Sequence, residues 1–466
     1  MNFNELVEQC EVSLFHIVDV KTNYTIAKAL KLFFQFIDAT IEFCFIYSLQ
    51  SVKCQSVLIK LSLIMDIVSA ASKIIDQNSA KGVDDPFYIL NIENVKHKYE
   101  IWKEKIPRVV PYYAVKCNDD ERVLRLLRNL GAGFDCASKK EFNQMLDLGV
   151  DPERIIYAQT AKQVSHLKMA VDKGIQKMTF DCPEELQKIK KLHPNAKVVL
   201  RIRFDAKSSF VNLGPKFGCN PVTEAPNLIQ LCKDMQMNLI GISFHVGTAT
   251  TDYKVFGNAL DAVRELFNFA ETLDMKLNFV DIGGGFMGGN TELFDNIATT
   301  INSALDRNFP SEDIEIISEP GRYFVDTAFS IAAQIVLKKK SEDGQIYYFI
   351  NESTYLSFCY YTDKDKLNYS VIKKSNLENH SEKKLSTIWG CTCSSLDKIY
   401  SDIEIPELDV DDWIIFHNMG AYSRTISSDF NGFSNRSSYI LERNEKSIKK
   451  SFTVKIVHMK IDEKFI

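Results

Sequence analysis

The chain has 466 residues, of which 45% are hydrophobic and 25% charged, and its formal net charge at pH 7 is −5. This length suits two or three domains of roughly 100–200 residues, so a small disulfide-stapled scaffold is excluded. The composition is that of a globular protein, and the charge gives no preference for nucleic acid, so a small molecule or a protein is the expected partner.

The cysteines indicate a reducing compartment. Eleven of them are scattered through apolar surroundings, and the N-terminus lacks the pattern of a secretory signal. We therefore expect free thiols and a cytoplasmic protein. Cys391 and Cys393 form the only close pair, and no histidine stands at a metal-ligand spacing from them, so we expect no metal site.

Residues 26–49 are apolar enough to raise the question of a membrane span. Asp38 and Glu42 lie in the middle, where a charge costs about 2.5–3.5 kcal/mol on insertion scales. Polar residues recur at intervals of three and four, on one stripe of a helix: Lys28, Lys31, Gln35, Asp38 and Glu42. An amphipathic helix within an N-terminal segment, 1–85, is therefore expected. A membrane-surface helix is the alternative, which the mixed charges of the stripe disfavour.

From about residue 86, short β-rich runs alternate with amphipathic stretches, as in repeated βα units. Eight candidate strands follow: 112–117, 133–137, 154–158, 177–181, 197–204, 239–246, 278–283 and 314–320. Their number and their spread over about 230 residues predict an α/β fold, a (β/α)8 TIM-type barrel, across 86–330. A doubly wound open sheet is the alternative, but its GxGxxG fingerprint is absent after the first strand.

After residue 330 the alternation stops, and apolar runs are separated by polar loops. The runs are FSIAAQIVL, IYYFIN, LSTIWG, DWIIFHN and SFTVKIVHM. They predict a second, mainly β domain over 331–466.

Chemically active side chains stand where the predicted barrel strands end. They are Lys116, Asp135, His245, the run Gly283, Gly284, Gly285, and the run Glu319 to Arg322. The active site of such a barrel lies at the carboxyl ends of its strands, so we expect these residues to meet at one mouth.

Together these residues favour pyridoxal phosphate. Three glycines after a strand let backbone N–H groups approach a phosphate, and Arg322 adds a guanidinium fork. Lys116 at the floor can serve as a Schiff-base nucleophile, and Glu319 can pair with the ring nitrogen while His245 stacks on the ring. Each residue alone has a common structural explanation: a rim lysine, a core histidine or a tight turn. Their convergence at strand ends favours the functional interpretation.

At these residues the sequence resembles the ornithine decarboxylase family of pyridoxal-phosphate decarboxylases, over about Asp85 to Phe433. The matching motifs are PYYAVKCN, GFDCAS, PERIIYA, KFG, FHVG, DIGGGF, SEPGRY, WGCTCSSLD and NMGAY. The resemblance implies a cofactor-binding barrel followed by a β domain, in a head-to-tail homodimer.

The resemblance also implies roles for single residues. Lys116 would hold the cofactor through its amine, Glu319 would pair with the ring nitrogen, and His245 would stack on the ring. Asp135 and Glu141 match acidic positions that orient the lysine and its neighbours.

The cofactor's phosphate would be bound by a group at the barrel mouth: Gly283, Gly284, Gly285, Arg322, Tyr422 and, where the family more often has serine, Thr248. Cys393 matches a cysteine that reaches across the dimer and governs protonation of the carbon from which carbon dioxide departs. Each active site would then need two chains.

The sequence departs from the family pattern at the substrate positions. Ser394 stands where ornithine decarboxylases have an aspartate for the distal ammonium, and Asn212 replaces an arginine. Lys364 falls on the position of a second aspartate, flanked by Asp363 and Asp365. Asp363, Asp365 and Ser394 are therefore the candidate substrate residues.

The expected activity is decarboxylation of ornithine to putrescine, for polyamine biosynthesis. Two alternatives stay open: a decarboxylase of another basic amino acid, and a catalytically weak or inactive homologue of the antizyme inhibitors. Residues 168–197 resemble the family's antizyme-binding element, although two ordinary barrel helices with solvated lysines explain them equally well.

Overall fold

The computed structural model describes residues 52–342, 344–360, 367–374, 383–433, 437–443 and 452–455. The helix expected at 26–49 and the candidate substrate residues Asp363 and Asp365 lie outside them. Within the described ranges, no helix combines the length and the apolarity that crossing a membrane requires. The chain divides into two compact units.

The first unit comprises Ile92–Thr327 together with Gly420–Thr425, and we call it the barrel unit. Its eight parallel strands close into a barrel in chain order, β2 to β9. The strands are β2 (Val110–Ala114), β3 (Gly133–Cys136), β4 (Ile155–Tyr157), β5 (Lys177–Phe180), β6 (Lys197–Arg203), β7 (Asn238–His245), β8 (Phe279–Asp281) and β9 (Glu315–Ser318). The predicted (β/α)8 barrel is thus confirmed, with one structural strand within or beside each predicted segment.

One helix, α2, precedes the first barrel strand, and the other helices of this unit follow the barrel strands along the chain. They are α2 (Ile92–Lys105), α3 (Glu121–Leu130), α4 (Lys139–Asp147), α5 (Val164–Asp172), α6 (Pro183–Leu192), α7 (Ala225–Asp234), α8 (Lys254–Thr272), α9 (Thr291–Asn308) and the short α10 (Arg322–Val325). Local sequence sets the ends of α3: the Asp120 carboxylate accepts a hydrogen bond from the Arg122 N–H, and Gly131 ends the helix at φ +100°.

The barrel interior is filled by side chains in layers. Tyr112, Ile156, Val199, Phe279 and Ile317 form one buried cluster contributed by five different strands. This packed floor closes the barrel below the carboxyl ends of its strands, so the mouth above it is a pocket and not a channel.

The second unit, which we call the β unit, is built on one mainly antiparallel sheet. Its strands are β1 (Phe87–Asn91), β10 (Phe329–Lys340), β11 (Ile346–Ile350), β12 (Tyr369–Ile372), β13 (Lys383–Trp389), β14 (Lys398–Pro406), β15 (Trp413–Phe416), β16 (Ser437–Arg443) and β17 (Phe452–Lys455). They run in the order β14-β13-β11-β10-β1-β16-β17, and β15 pairs with both β10 and β12. The mainly β domain is confirmed, and β1, β12, β14 and β16 add to the predicted strands.

Helix α1 (Val52–Ser79) packs on this sheet. Its buried residues Val68, Ala71 and Ile74 share a cluster with Phe87 of β1 and Trp413 of β15. The small side chains of its inner face let the helix lie close to the aromatic rings of the sheet.

Candidate active site

The carboxyl ends of the barrel strands bring the predicted lysine and carboxylate together. Lys116 lies in a single 3₁₀ turn, Val115–Cys117, directly after β2, and its Nζ donates to the Asp135 carboxylate of β3. The Lys116 side chain is 46% exposed, whereas Asp135 is 1% exposed. The amine therefore faces the open mouth while its carboxylate partner is fixed in the wall.

The electrostatics of the mouth favour the ammonium form of Lys116. The surrounding protein disfavours the charge, but the carboxylates of Asp135 and Glu319 outweigh this and raise the pKa of Lys116 above its usual value. Among the described residues, Lys116 thus has two acidic side chains beside it, from the two strands, β3 and β9, that flank β2.

Glu319 follows β9, and its environment favours the neutral acid. Burial, followed by the charges of Asp281 and Asp135, raises the pKa of Glu319 well above its usual value. Its Oε1 is buried and receives no N–H or O–H donor from the described residues other than a proton that it can share with the Asp281 carboxyl. A buried acceptor of this kind is rare, and it suits a ligand N–H that would bind against this carboxylate.

His245, the last residue of β7, is held as a neutral imidazole. Its Nδ1 accepts a hydrogen bond from the Gly247 N–H at 3.1 Å. Burial, then the positive charges of Arg201 and Lys116, lowers the pKa of His245 well below its usual value. A neutral ring can stack on an aromatic ligand without carrying a charge into the site.

The glycine run after β8 lies against the same groups. Gly283 and Gly285 have φ of +63° and +113°, a conformation that other residues rarely adopt. A Cβ added at Gly284 would stand 2.8 Å from His245 Nε2 and 2.9 Å from the Glu319 carbonyl oxygen. The run therefore leaves a cradle beside His245 and Glu319 that any side chain would fill.

Arg322 and Tyr422 meet at this edge of the mouth although 100 positions of the sequence separate them. The Arg322 guanidinium carbon lies 5.5 Å from the centre of the Tyr422 ring. The Tyr422 N–H donates to the Cys117 carbonyl at 2.9 Å, and the Thr425 hydroxyl donates to the Lys116 carbonyl at 2.8 Å. The segment 420–425 is thereby fastened to the turn that carries Lys116.

Glu141 and Thr248 lie near the mouth in supporting positions. Glu141, in the first turn of α4, accepts from the Ala137 N–H at 2.5 Å, and burial raises its pKa. Thr248 exchanges backbone hydrogen bonds with a neighbouring loop, donating to Val211 and accepting from Phe210. Both residues hold backbone segments that border the mouth.

Cys393 and Ser394 belong to the β unit. Cys393 is exposed, and its N–H donates to Asn431 Oδ1 at 2.9 Å. The Ser394 hydroxyl lies 2.9 Å from the Tyr355 hydroxyl. The structure therefore joins the predicted barrel residues at one mouth and places these two residues on a separate loop.

Two charged residues of the barrel interior received no role from the sequence: Arg201 on β6, and Asp281 at the end of β8, which opens the motif DIGGGF. Arg201 is 9% exposed and Asp281 1% exposed. The available signal was a charged residue within an otherwise apolar barrel strand, as in VVLRIRF and NFVDIG. Burial of a charge is costly, so such a residue is expected to face other charges or a ligand.

These residues fit pyridoxal phosphate. The amine of Lys116 suits its aldehyde, the buried oxygen of Glu319 suits its protonated ring nitrogen, and the glycine cradle with Arg322 suits its phosphate.

The known proteins that this chain is similar to agree with this fit. The family described as pyridoxal-dependent decarboxylase, pyridoxal binding domain, matches residues 92–326. The chain is 42% identical to antizyme inhibitor 2 of Xenopus laevis over 376 residues, which covers 78% of this chain and 82% of that protein. It is 40% identical to ornithine decarboxylase of Rattus norvegicus over 391 residues, which covers 79% of this chain and 84% of that protein.

Among solved structures, the chain is similar to the arginine decarboxylase of Paramecium bursaria Chlorella virus. The TM-score is 0.75 at 35% sequence identity, and the match covers 79% of this chain and all of that chain. The similarity therefore extends over both units.

Proposed function

The chain belongs to the pyridoxal-dependent decarboxylase family, and on this premise we propose that it decarboxylates ornithine to putrescine. The observation that carries the proposal is the Lys116 amine, held by Asp135 at the mouth of the barrel and faced by Glu319 and the glycine run. A protein without this chemistry has no need of a lysine placed between two buried carboxylates.

Pyridoxal phosphate, when bound, supplies an electron sink for the pair left by the departing carboxyl group. The protein's residues do the rest of the work. Lys116 would hold the aldehyde end, Glu319 would pair with the ring nitrogen, and neutral His245 would cover one ring face. Gly284 and Arg322 would bind the phosphate.

The residues expected to contact the substrate's distal amine differ from the family pattern, so a basic amino acid other than ornithine is also a candidate substrate. Ser394 offers a hydroxyl, already within 2.9 Å of the Tyr355 hydroxyl, and no carboxylate. A missing carboxylate partner costs about 2–5 kcal/mol, or on the order of 30- to several-thousand-fold in rate. Asp363 and Asp365 are the candidates that compensate for it.

The test is an assay of the purified full chain loaded with pyridoxal phosphate. Carbon dioxide release is measured from ornithine, lysine, arginine and diaminopimelate. We expect the highest kcat/KM with ornithine. A higher kcat/KM with lysine or arginine would assign the chain a different substrate within the family. If none of the four amino acids gave carbon dioxide, the proposed decarboxylase activity would be rejected.

Lys116→Ala is expected to abolish the visible absorbance of lysine-bound cofactor together with carbon dioxide release, because the variant has no amine to hold the aldehyde. Absorbance and activity are compared with Lys276→Ala, which removes an exposed lysine outside the mouth. An unchanged spectrum in Lys116→Ala would reject the site assignment.

A second candidate function, that of an antizyme inhibitor, is favoured by the 42% identity to antizyme inhibitor 2. The segment 168–197, proposed to bind antizyme, spans the end of α5, β5 and α6. Its basic residues are Lys168, Lys173, Lys177, Lys188, Lys190, Lys191 and Lys197. Of these, Lys177 is committed to the fold, because its side chain is buried and bonded to Glu315 at 2.7 Å.

Direct binding separates the two candidates. Purified chain is titrated with recombinant antizyme. The Lys168→Glu/Lys173→Glu variant, which reverses two exposed charges at the end of α5, is titrated in the same way. Antizyme binding without bound pyridoxal phosphate would favour the inhibitor. Cofactor binding with turnover favours the enzyme whether or not antizyme binds.

We also propose that two chains pair and that Cys393 serves the partner's site as the proton donor. Support comes from the surface of the β unit, where exposed apolar residues accompany the exposed thiol. Leu396 is 79% exposed and Phe430 42% exposed, and apolar surface of this kind marks interfaces. Light scattering of the purified chain is expected to give twice the monomer mass.

The cytoplasm is the proposed location. The support is chemical: the cysteines whose side chains are described, Cys393 among them, are free thiols in this structure. Free thiols persist in reducing compartments. Fractionation of cells that express the tagged chain tests this assignment.

A further inference from the structure

The barrel contains a second polar layer, one row below its mouth. Arg201 on β6, Ser243 on β7 and Asp281 on β8 are register partners on neighbouring parallel strands. Asp281 is in turn the partner of Ile317, which belongs to the interior cluster. Register partners project to the same face of a parallel sheet, so this row faces the barrel interior.

The residues of the mouth stand directly above this row. His245 lies two residues beyond Ser243 on β7, and Gly283 lies two residues beyond Asp281. The Glu319 N–H donates to the Gly283 carbonyl at 2.8 Å, which places Glu319 in the upper row. The polar layer thus lies beneath the groups proposed to hold the cofactor ring.

The lower row has hydrogen-bonding capacity that nothing in the described residues uses. Ser243 Oγ is buried without a partner, and the Asp281 carboxyl has the neighbouring Glu319 carboxyl as its side-chain partner. Arg201 is only 9% exposed, and its guanidinium carbon lies 4.9 Å from the centre of the Phe217 ring. Within the described residues, the Arg201 guanidinium forms no hydrogen bond and no ion pair. A buried charge without a bonded counter-ion costs several kcal/mol, so its presence requires a compensating role.

Charge balance around Glu319 suggests that role. The titratable and charged groups that face Glu319 are Asp281, Asp135, Lys116 and Arg201, which come from four different strands or strand ends. Burial is the main cause that raises the pKa of Asp281 and of Glu319, and Arg201 lowers both. Arginine cannot lose its proton in a protein, whereas the lysine amine is used to hold the cofactor.

We propose, on the basis of the proposed function, that Arg201 is a positioning residue that eases ionisation of Glu319 against the cofactor's ring nitrogen by offsetting the charge of Asp281. Three carboxyl groups, those of Asp135, Asp281 and Glu319, lie at the mouth or one row below it, and the permanent charge of Arg201 opposes proton binding by Asp281 and Glu319. A protonated Glu319 cannot hold a further proton on the ring nitrogen, so the electron sink weakens. The effect passes through Asp281 and Glu319, and Arg201 itself need not touch the substrate.

The first test is Arg201→Gln in the cofactor-loaded full chain. The absorbance of the bound cofactor is titrated with pH, and kcat and KM are measured in parallel. We expect the acid limb of the titration to move to higher pH, because loss of the Arg201 charge raises the pKa of Glu319. Each unit of that rise leaves about tenfold less ionised Glu319, so kcat near neutral pH should fall about 10- to 100-fold. KM should change little, and Arg201→Lys should restore part of the loss.

Asp281→Asn supplies the opposite change. Removing a neighbouring negative charge should move the acid limb to lower pH, and the Asn side-chain oxygen can still accept from the Gly283 N–H. The double variant, Arg201→Gln with Asp281→Asn, restores the charge balance, so it should recover most of the kcat that Arg201→Gln loses. A double variant no better than Arg201→Gln would overturn the proposal.

Arg264→Gln is the matched control. Arg264 also lies over a phenylalanine ring, 5.7 Å from the centre of Phe267, but on the outer helix α8. It should leave the titration unchanged. If Arg201→Gln does not fold, Asp281→Asn decides alone, and an unshifted titration in that variant would overturn the proposal.

The experiment separates this inference from the proposed function. The spectral titration needs bound cofactor but no turnover. Shifted titrations without carbon dioxide release would retain the inference and reject the decarboxylase, whereas normal release with unshifted variants would reject the inference alone.

Discussion

At the scale of single residues, Gly284 depends on the absence of a side chain. A Cβ there would approach the Glu319 carbonyl oxygen to 2.9 Å, and that carbonyl is backbone and cannot rotate away. Any larger residue must therefore shift Glu319, His245 or the loop itself. The space proposed for the cofactor beside His245 and Glu319 therefore depends on the absence of a Cβ at Gly284.

Gly284→Ala is expected to weaken cofactor binding about 5- to 150-fold, because overpacking of this kind costs roughly 1–3 kcal/mol. Fluorescence titration of the apoprotein with pyridoxal phosphate measures the dissociation constant. The matched control is Gly289→Ala, whose added Cβ would meet its nearest atom, Thr327 Cγ2, at an ordinary 3.7 Å. Equal affinity in the two variants would contradict the assigned cradle.

At the scale of elements, a buried histidine joins three strands of the β unit. His417 follows β15, and its Nδ1 lies 3.0 Å from the Ser330 hydroxyl of β10 while its Nε2 lies 2.9 Å from the Ser370 hydroxyl of β12. Burial lowers the pKa of His417 from 6.5 to about 4. The ring is therefore neutral in the folded protein and binds its proton only after unfolding or strong acidification.

This pKa predicts how acid affects the β unit. Because unfolded His417 binds a proton more readily than folded His417, its contribution to stability is complete above pH 6.5 and is lost as the pH falls toward 4. The loss amounts to about 3 kcal/mol. In His417→Gln, the free energy of unfolding should fall less steeply over this range than in the wild type, as measured by urea unfolding at stepped pH. His97→Gln, which changes a side chain 67% exposed, should keep the wild-type slope.

At the scale of the whole molecule, the proposed pairing of chains makes activity depend on both partners. Lys116 belongs to the barrel unit and Cys393 to the β unit. If each site combines Lys116 of one chain with Cys393 of the other, a pair of differently mutated chains contains one intact site and one doubly defective site.

Coexpression of Lys116→Ala and Cys393→Ala chains should therefore restore roughly a quarter of wild-type activity, since random pairing makes half of the dimers mixed and half of their sites intact. Each variant expressed alone is the baseline. Activity that stays at this baseline, with both chains folded and paired, would show that the site does not combine two chains.

The sequence by itself determined the elements and the residues at their ends. Apolar alternation marks each barrel strand, and turn and cap residues such as Asp120 and Gly131 mark the helices between them, because these signals act over a few neighbouring residues. Because all strands of such a barrel point the same way, the strand assignments alone placed Lys116, His245 and Glu319 together at the carboxyl ends.

Only the tertiary structure decided which distant groups share a layer. The register of β6 with β7 and of β7 with β8 aligns Arg201 with Ser243 and Asp281, and the segment around Tyr422 joins the turn of Lys116 through a backbone hydrogen bond. The physical reason is that register and closure are fixed by contacts between residues far apart in the chain. Local periodicity carries no information about which of several possible alignments buries the most apolar surface and satisfies the most polar groups.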